Sequence, residues 1–444
     1  MPLSSAFALD PDQWASRLQP AGWPRYRGMQ VFRALQQQRI SDWNAVTALP
    51  PALRQQLAAD PTLQWPEIAS RFHSTDGTIR YLLRMADRAE VEAVYLPDEE
   101  FIVPGPNESL QRRHRRTTFC ISTQVGCAVN CQFCFTATLG LKRSLTAGEI
   151  IAQVLLLLAE HGLAPGAAQR RLGAPGPRAG ASISGTQGGV ALGPAPGLDR
   201  VNLVYMGMGE PFLNYDNVVR SIDILTRPEG AAIAPRRITV STSGVVSKIR
   251  LWGQRAFPRG RPRLAISLNA SSDEQRQRLM PLHQGQGGMA GLCAAIAELP
   301  LGEREYVTLE YVLLAGVNDT PEDAGRVLDL TRGLHCKVNL IAWNGGPELP
   351  FASPTLQTVL AFQRLLLAGG LACYIRRPRG RDIYAACGQL KRSRDEATWS
   401  GVHAGGAFTE QSGHPLPPSA ARPQPDQREG VQRRAAVPPT VEPA

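Results

Sequence analysis

Three cysteines lie close together in the chain, Cys127, Cys131 and Cys134, in a CxxxCxxC pattern. Thiolates are soft ligands, and three of them within eight residues can converge on one metal centre, either zinc or an iron–sulfur cluster. Zinc sites are typically built from CxxC pairs, or from cysteine and histidine at set spacings. The spacing therefore favours an iron–sulfur cluster, in which three cysteines leave one iron of a four-iron centre open to a substrate.

A glycine-rich turn, Gly207-Met208-Gly209-Glu210-Pro211, follows the strand-like run 201–206. Glycine lets the backbone approach a ligand closely, and a carboxylate accepts hydrogen bonds from an amino group. Small polar residues follow later strand-like runs, namely Ser241, the triplet Ser267-Leu268-Asn269, and Asn344. Their polar groups can bind ribose hydroxyls or a carboxylate, although Ser and Asn also cap helices after strands.

Two further cysteines stand outside the cluster at positions that predict function. Lone cysteines are usually buried small hydrophobic residues, and we interpret Cys293, Cys336 and Cys373 in this way. Cys120 lies in a strand-like run seven residues before the cluster, and Cys387 precedes a glycine in a polar segment. We predict that both are functional.

These residues must be positioned by a repeating pattern of strands and helices. Six strand-like runs alternate with helix-length segments, at 117–122, 201–206, 237–241, 263–268, 306–313 and 337–341. Repeated βα units predict a parallel sheet, and sites in such folds gather at the carboxyl ends of the strands. Because a complete barrel has eight units, the predicted fold is α/β, a partial (βα)6 barrel.

Composition and local pattern divide the chain into four parts. We predict a helical accessory domain over 1–72, a β-hairpin and linker over 73–116, a core over 117–392, and a tail over 393–444. The segment 164–198 is rich in Gly, Pro, Ala and Ser, and the tail is rich in Pro, Gln and Arg. We expect both to be disordered because neither can bury enough apolar surface.

The net charge of +10 favours an anionic partner such as nucleic acid. The basic run 112–116 is a candidate phosphate contact, and a solvated loop is the equal alternative. No run approaches the roughly 18 apolar residues that a membrane span needs, and residues 1–10 lack the features of a secretory signal. We therefore expect a cytoplasmic protein without membrane association, whose cysteines are reduced.

Taken together, residues 92–390 resemble the RlmN-type dual-specificity RNA methyltransferases, a family of radical S-adenosylmethionine enzymes. The resemblance rests on the sequence VEAVY, the block from Cys120 to Cys134, GMGEP, STSGVV, NLI, WN and AACGQL. It also includes the helical domain and the turn at 74–78. The resemblance implies methylation of carbon 2 of adenine in 23S ribosomal RNA and in transfer RNA.

That carbon is not a nucleophile, so the resemblance implies a radical route. One S-adenosylmethionine methylates Cys387, and a second, bound to a [4Fe-4S] cluster on Cys127, Cys131 and Cys134, yields a deoxyadenosyl radical that activates the S-methyl group. Glu92 matches the family's proton acceptor. Cys120 then resolves the covalent RNA adduct by forming a transient disulfide with Cys387.

The resemblance also implies the contacts of the cofactor and the partners of the protein. The implied contacts with S-adenosylmethionine are Gly209, Glu210, Ser241, Ser267, Leu268, Asn269 and Asn344. Asn269 stands where the family often has His, so we expect altered affinity rather than loss. We further expect an electron-donating reductase system and a monomeric protein.

Two other functions remain open on the sequence. An adenine carbon-8 methylase of the antibiotic-resistance type would share the same cysteines. A metal-stabilised RNA-binding protein without catalysis would leave Glu92, Cys120 and Cys387 without a role.

Overall fold

The structure of the chain is a computed structural model, which describes residues 5–102, 111–163, 201–281, 287–344, 349–376, 379–385 and 388–390. For 98–102 and 111–115 it describes the backbone only. The whole predicted insertion, the whole tail and Cys387 lie outside the described residues.

The amino-terminal part is helical, as its pattern predicts. Asp10 caps the first helix by accepting a hydrogen bond from the backbone N–H of Gln13, whose side chain bonds back to Asp10. The apolar positions Val31, Phe32 and Leu35 are fully buried in the core. The helices are α1 (Pro11–Leu18), α2 (Tyr26–Gln36) and α3 (Pro51–Ala58).

One ten-stranded sheet organises the rest of the described chain. Its strands are β1 (Glu67–His73), β2 (Ile79–Arg84), β3 (Glu90–Ile102), β4 (Gln111–Cys120), β7 (Val201–Tyr205), β8 (Ile238–Thr242), β9 (Arg263–Ser267), β10 (Val307–Leu313), β11 (Cys336–Ala342) and β12 (Cys373–Ile375). A two-stranded ribbon, β5 (Gln124–Val125) with β6 (Arg143–Ser144), lies outside it. Strands β1 to β4 pair antiparallel, and β4 and β7 to β12 pair parallel.

The parallel strands follow one another in chain order across the sheet. This order is that of a βα barrel, since a doubly wound sheet reverses direction at its switch point. All six predicted strands are confirmed, and β12 adds a short seventh. The connecting helices are α4 (Ala147–Glu160), α5 (Tyr215–Leu225), α6 (Val246–Gln254), α7 (Asp273–Leu279), α8 (Gly288–Ala297), α9 (Pro321–Thr331) and α10 (Leu356–Ala368).

The predicted hairpin forms from β2 and β3, and it is continuous with the core sheet rather than separate from it. β3 pairs with β4 from Val94, opposite Cys120, to Ile102, opposite Gln111. β1 begins at Glu67, inside the stretch predicted to be helical, and only Phe72 in it is fully buried. An edge strand of this kind has too little apolar alternation to be recognised in the sequence.

The basic run at 112–116 is part of β4 rather than a loop. Among its side chains only Arg116 is described, and it is exposed. No helix in the described ranges is both long and apolar enough to cross a membrane.

Candidate active site

The three clustered cysteines lie in a loop that leaves the carboxyl end of β4, between β5 and β6. Gly126 closes the base of the loop with a φ of 84°, and a Cβ added to it would lie 1.7 Å from the carbonyl oxygen of Gly140. That same carbonyl accepts a hydrogen bond from the backbone N–H of Cys127 at 3.2 Å. Only glycine fits at position 126, so the loop entry is determined locally.

The loop is packed from two sides. The indole N–H of Trp343 donates to the carbonyl oxygen of Phe133 at 3.0 Å, and the backbone N–H of Gln132 donates to the carbonyl oxygen of Leu279 at 2.9 Å. Val129, Phe133, Leu279, Met280 and Trp343 form a buried apolar cluster against the cysteines. The loop is therefore fixed to the end of α7 and to the chain after β11.

Burial raises the pKa of the Cys127 thiol to about 12, and it raises the pKa of Cys131 well above its ordinary value. Neighbouring cysteines add to both shifts. The thiolates therefore need a bound cation. Among the described residues, no three His, Cys, Asp or Glu side chains are grouped so as to hold a single metal ion. In a four-iron cluster each cysteine binds its own iron, so the thiols need not meet at one point.

The glycine-rich turn after β7 lies directly against the end of β4. A Cβ on Gly207 would lie 2.6 Å from the carbonyl oxygen of Ile121, and one on Gly209, with φ at 100°, would lie 2.5 Å from the Gln124 side chain. The side chain of Gln124 also accepts the backbone N–H of Glu210 at 2.9 Å. Both glycines are thus required by close packing of the turn.

Glu210 is buried and ties two strand ends together. Its Oε1 accepts the backbone N–H of Phe212 at 2.9 Å, and its Oε2 accepts that of Ser243 at 2.6 Å. Burial raises the pKa of this carboxyl group, and the hydrogen bonds from Ser243, Thr242 and Phe212 oppose the shift. Each oxygen keeps a further lone pair with which to accept a ligand amino group.

The carboxyl ends of the parallel strands enclose one cavity with the cysteine loop. Of the ten predicted metal and cofactor residues, nine line it: Cys127, Cys131, Cys134, Gly209, Glu210, Ser241, Ser267, Asn269 and Asn344. Leu268 is not among the lining residues; it is buried, and its backbone N–H donates to the carbonyl oxygen of Glu310 at 2.9 Å. Leu268 therefore does not face the cavity as its neighbours Ser267 and Asn269 do.

Asn269 adopts a left-handed conformation, with φ at 53°, which asparagine tolerates better than most residues. Its Oδ1 accepts the backbone N–H of Val312 at 2.9 Å, and its Nδ2 lies 3.6 Å from the sulfur of Met280. The side chain thus fastens β10 and the end of α7 to the cavity wall.

Cys120 and Glu92 lie on the sheet face that forms the cavity. Cys120 is in register with Val94 on β3 and with Val204 on β7, and alternation places Glu92 and Leu96 on the same face as Val94. Leu96 and Met206, two residues beyond Val204, both line the cavity. Cys120 itself is only 8% exposed and Glu92 is fully buried, so neither belongs to the open wall.

The segment that leads to Cys387 also reaches this cavity. Arg379, Ala385 and Gly388 are among its lining residues. The Arg381 Nε donates to Oδ1 of Asn344 at 2.8 Å, and the backbone N–H of Phe135 donates to the carbonyl oxygen of Gly388 at 2.7 Å. The described residues on both sides of Cys387 are therefore bonded to predicted site elements.

Several residues of the site were not predicted from the sequence. Ser243, Arg376 and Arg379 line the cavity, and Gln124 and Arg276 bond to its walls. Ser243 belongs to the polar strand end 241–244 that the sequence indicates, of which the resemblance implies only Ser241 as a cofactor contact. The arginines and Gln124 carry no local signal that separates them from solvated residues.

Known proteins resemble this chain over nearly its whole described length. A probable dual-specificity RNA methyltransferase RlmN of Koribacter versatilis is 44% identical over 373 residues, which cover 84% of this chain and 97% of that protein. The RlmN of Anaeromyxobacter dehalogenans is 39% identical, covering 86% and 90%. The chain belongs to the RlmN family. No family model matches it.

Among solved structures, a radical SAM methyltransferase from Sphaerobacter thermophilus superposes with a TM-score of 0.70 at 35% identity, covering 87% of this chain and 99% of that one. This likeness agrees with the parallel sheet in chain order. The RlmN-family site has the groups that an iron–sulfur cluster with S-adenosylmethionine requires: three half-buried thiols, a close-packed glycine turn with a buried carboxylate, and polar strand ends around one cavity.

Proposed function

We propose that this RlmN-family chain methylates carbon 2 of adenine in 23S ribosomal RNA and in transfer RNA, with Cys387 as the carrier of the methyl group. The chain is a radical SAM RNA methyltransferase, as its family membership and fold establish. One observation carries the proposal: the three cysteines, the glycine turn, the polar strand ends and the segment leading to Cys387 share one cavity.

The enzyme works with S-adenosylmethionine and an iron–sulfur centre. We propose that the centre is a [4Fe-4S] cluster on Cys127, Cys131 and Cys134, and that each turnover consumes two molecules of S-adenosylmethionine. When bound, this pair supplies the one-electron chemistry by which a methyl carbon can be added to an aromatic carbon that is not a nucleophile. The apolar side chains of Val129, Phe133 and Trp343, which pack beside the thiols, limit the access of water to this chemistry.

The residues around the cavity would hold the methionine and nucleoside parts of the cofactor. Glu210 can accept hydrogen bonds from an amino group, while Gly209 lets the turn approach closely. Ser241, Ser267, Asn269 and Asn344 offer hydroxyl and amide groups for the ribose and carboxylate. The side chain of Leu268 is buried, so Leu268 would contribute by holding its neighbours Ser267 and Asn269 in place at the cavity.

Glu92 and Cys120 would act after carbon–carbon bond formation. In this proposal Glu92 accepts the ring proton as the adduct radical loses one electron, which would return to the iron–sulfur centre. The Cys120 thiolate then attacks the sulfur of Cys387, the bond from that sulfur to the methylene carbon breaks, and the carbon takes up a proton, which releases the methylated RNA and leaves a disulfide. Their shared position on the cavity face of β3 and β4 supports both roles. The disulfide must then be reduced before the next turnover.

RNA is the substrate, and its adenine would have to be unstacked or flipped to enter the cavity. Arg376 and Arg379 at the cavity wall carry positive charge that suits a phosphate backbone. A reductase system would supply electrons, and we propose a monomer as the active form.

The test is anaerobic reconstitution with iron and sulfide, followed by incubation with S-adenosylmethionine, a reductant and unmodified RNA. Mass spectrometry of the digested nucleosides then identifies the product. We expect 2-methyladenosine with the wild type and none with Cys387→Ala. The appearance of 8-methyladenosine would assign the chain to the carbon-8 methylases, and RNA binding without any methylated base would contradict an enzymatic role.

A further inference from the structure

Arg276 is a guanidinium buried between the strand ends that form the cavity. It lies on α7 and is 3% exposed. It donates to the carbonyl oxygens of Ser267, at 2.9 Å, and Leu268 after β9, and to that of Ser243, at 2.5 Å, after β8. These acceptors are neutral, and within the described part of the chain no carboxylate forms an ion pair with Arg276.

A charge buried among neutral acceptors is costly unless an anion compensates it. The shift of its pKa has the expected direction, since burial lowers the pKa of Arg276 to about 10. Gly244 leaves room for the guanidinium, because a Cβ at that position would lie 2.7 Å from an Arg276 terminal nitrogen. The fold thus maintains a cationic site next to the cavity.

Helix α7 connects Arg276 to the loop that carries the three cysteines. The last turn of this helix holds the cysteine loop, since the carbonyl oxygen of Leu279 accepts the backbone N–H of Gln132, next to Cys131. Arg276 holds the carbonyl oxygens of Ser243 and Ser267, and both of these residues line the cavity together with Cys131. The thiolates of a loaded centre are therefore negative charges on the cavity next to which this guanidinium is buried.

We propose that Arg276 is a positioning residue that balances the negative charge of the thiolate-bound iron–sulfur centre and holds the ends of β8 and β9 around S-adenosylmethionine. This inference rests on the proposed cofactors, not on the identity of the methylated carbon. A buried cation favours the more negative, reduced form of a nearby cluster, and so raises its reduction potential. Its three carbonyl contacts align Ser243 and Ser267, which line the cavity.

The test compares Arg276→Gln and Arg276→Lys with Arg278→Gln, a matched control two residues away on the same helix whose side chain is exposed. Iron content, the reduction potential by spectroscopically monitored titration, and the dissociation constant for S-adenosylmethionine are measured on the reconstituted proteins. We expect Arg276→Gln to shift the potential to more negative values and to weaken binding about tenfold, as expected for groups that support metal ligands. Arg278→Gln should match the wild type.

Arg276→Lys separates charge from shape. Lysine keeps the positive charge but not the planar fork of donors, so its potential should stay near that of the wild type while binding weakens. If Arg276→Gln does not fold or load iron, Arg276→Lys tests the inference, because it keeps the positive charge. A potential and an affinity equal to wild type in Arg276→Gln, or a shifted potential in Arg276→Lys, would overturn the inference. A wild type that forms no reducible cluster would instead refute the proposed cofactor.

Discussion

At the scale of single residues, Glu92 shows how the fold controls a group that we propose to be catalytic. Its carboxylate pairs with the guanidinium of Arg80 on the neighbouring strand, and both side chains are at most 2% exposed. The Arg80 guanidinium also lies over the Phe72 ring, 3.9 Å from the centroid. The guanidinium thus compensates the charge of a carboxylate that is buried in the sheet.

Arg80→Ala should therefore unfold more easily than the wild type, by about 3–5 kcal/mol, because it leaves a buried carboxylate without its partner. Chemical denaturation of the protein measures this change. Arg84→Ala is the matched control on the same strand, since Arg84 pairs with Glu67 and Glu90 near the surface. We expect a clearly smaller loss in the free energy of unfolding for Arg84→Ala. Equal losses in the two variants would show that the buried pair stabilises the fold no more than the surface pairs do.

At the scale of elements, the turn between β1 and β2 is bonded to the segment that precedes Cys387. The Oδ2 of Asp76 accepts the backbone N–H of Gly380 at 2.9 Å, and Asp382 accepts the Ser74 hydroxyl at 2.6 Å and the Thr75 N–H at 3.0 Å. Hydrogen bonds to Gly380, Thr78 and Ser74 oppose burial and lower the pKa of Asp76. The amino-terminal strands thus support residues 379–385 at the cavity.

Asp382→Ala should lower the rate of RNA methylation several-fold, because two charge-assisted hydrogen bonds to this segment are lost. Asp87→Ala is a suitable control. Asp87 lies in the turn between β2 and β3, where it accepts the backbone N–H of Ala89. Its ion-pair partner Arg143 also pairs with Glu149, so Arg143 keeps a carboxylate partner when Asp87 is replaced. Steady-state rates of both variants, with melting temperatures to confirm folding, are the measurement. A rate for Asp382→Ala equal to that of Asp87→Ala would contradict a role for these contacts.

At the scale of the whole molecule, His161 joins the antiparallel strands to the first helix of the barrel. Its ring stacks on Tyr95 at 3.7 Å, next to Phe119, and its Nε2 shares a hydrogen bond with the Tyr81 hydroxyl at 2.9 Å. Burial lowers the pKa of His161 to about 4, while the adjacent Glu160, paired with Arg71, opposes this shift weakly. The folded protein therefore keeps His161 neutral where an unfolded chain would protonate it.

This difference makes the free energy of unfolding depend on pH. The pKa of His161 in the folded state is below its unfolded value near 6.5. The free energy of unfolding is therefore highest above pH 6.5, decreases as the pH falls below 6.5, and stops decreasing near pH 4. Between pH 7 and pH 5 His161 should account for a loss of about 2 kcal/mol. His161→Phe keeps an aromatic ring without a titrating group, so urea denaturation at the two pH values should show a smaller loss. A loss identical to that of the wild type would exclude His161 as the cause.

The sequence by itself determined the features that depend on neighbouring residues. The CxxxCxxC spacing, the glycine turn and the alternation of strands and helices can be read locally, because each is a pattern of residue types over a few positions. They sufficed to predict the six parallel strands and the nine cavity residues at their ends. Gly126 is required within its own loop, where a Cβ would lie 1.7 Å from the carbonyl oxygen of Gly140, whereas Gly207 and Gly209 are required by close contact with Ile121 and Gln124 on a distant segment.

Only the tertiary structure decided which charges are buried and what they face. In the run Asp273–Leu279, Arg276 and Arg278 have the same type and a similar setting, yet one lies between three strand-end carbonyls and the other is exposed. The contacts of Asp76 and Asp382 join segments more than 300 residues apart in the chain, and the pair of Arg80 with Glu92 depends on the pairing of two strands. The energy of a charge depends on its burial and its partners, and both are set by packing between distant elements rather than by local pattern.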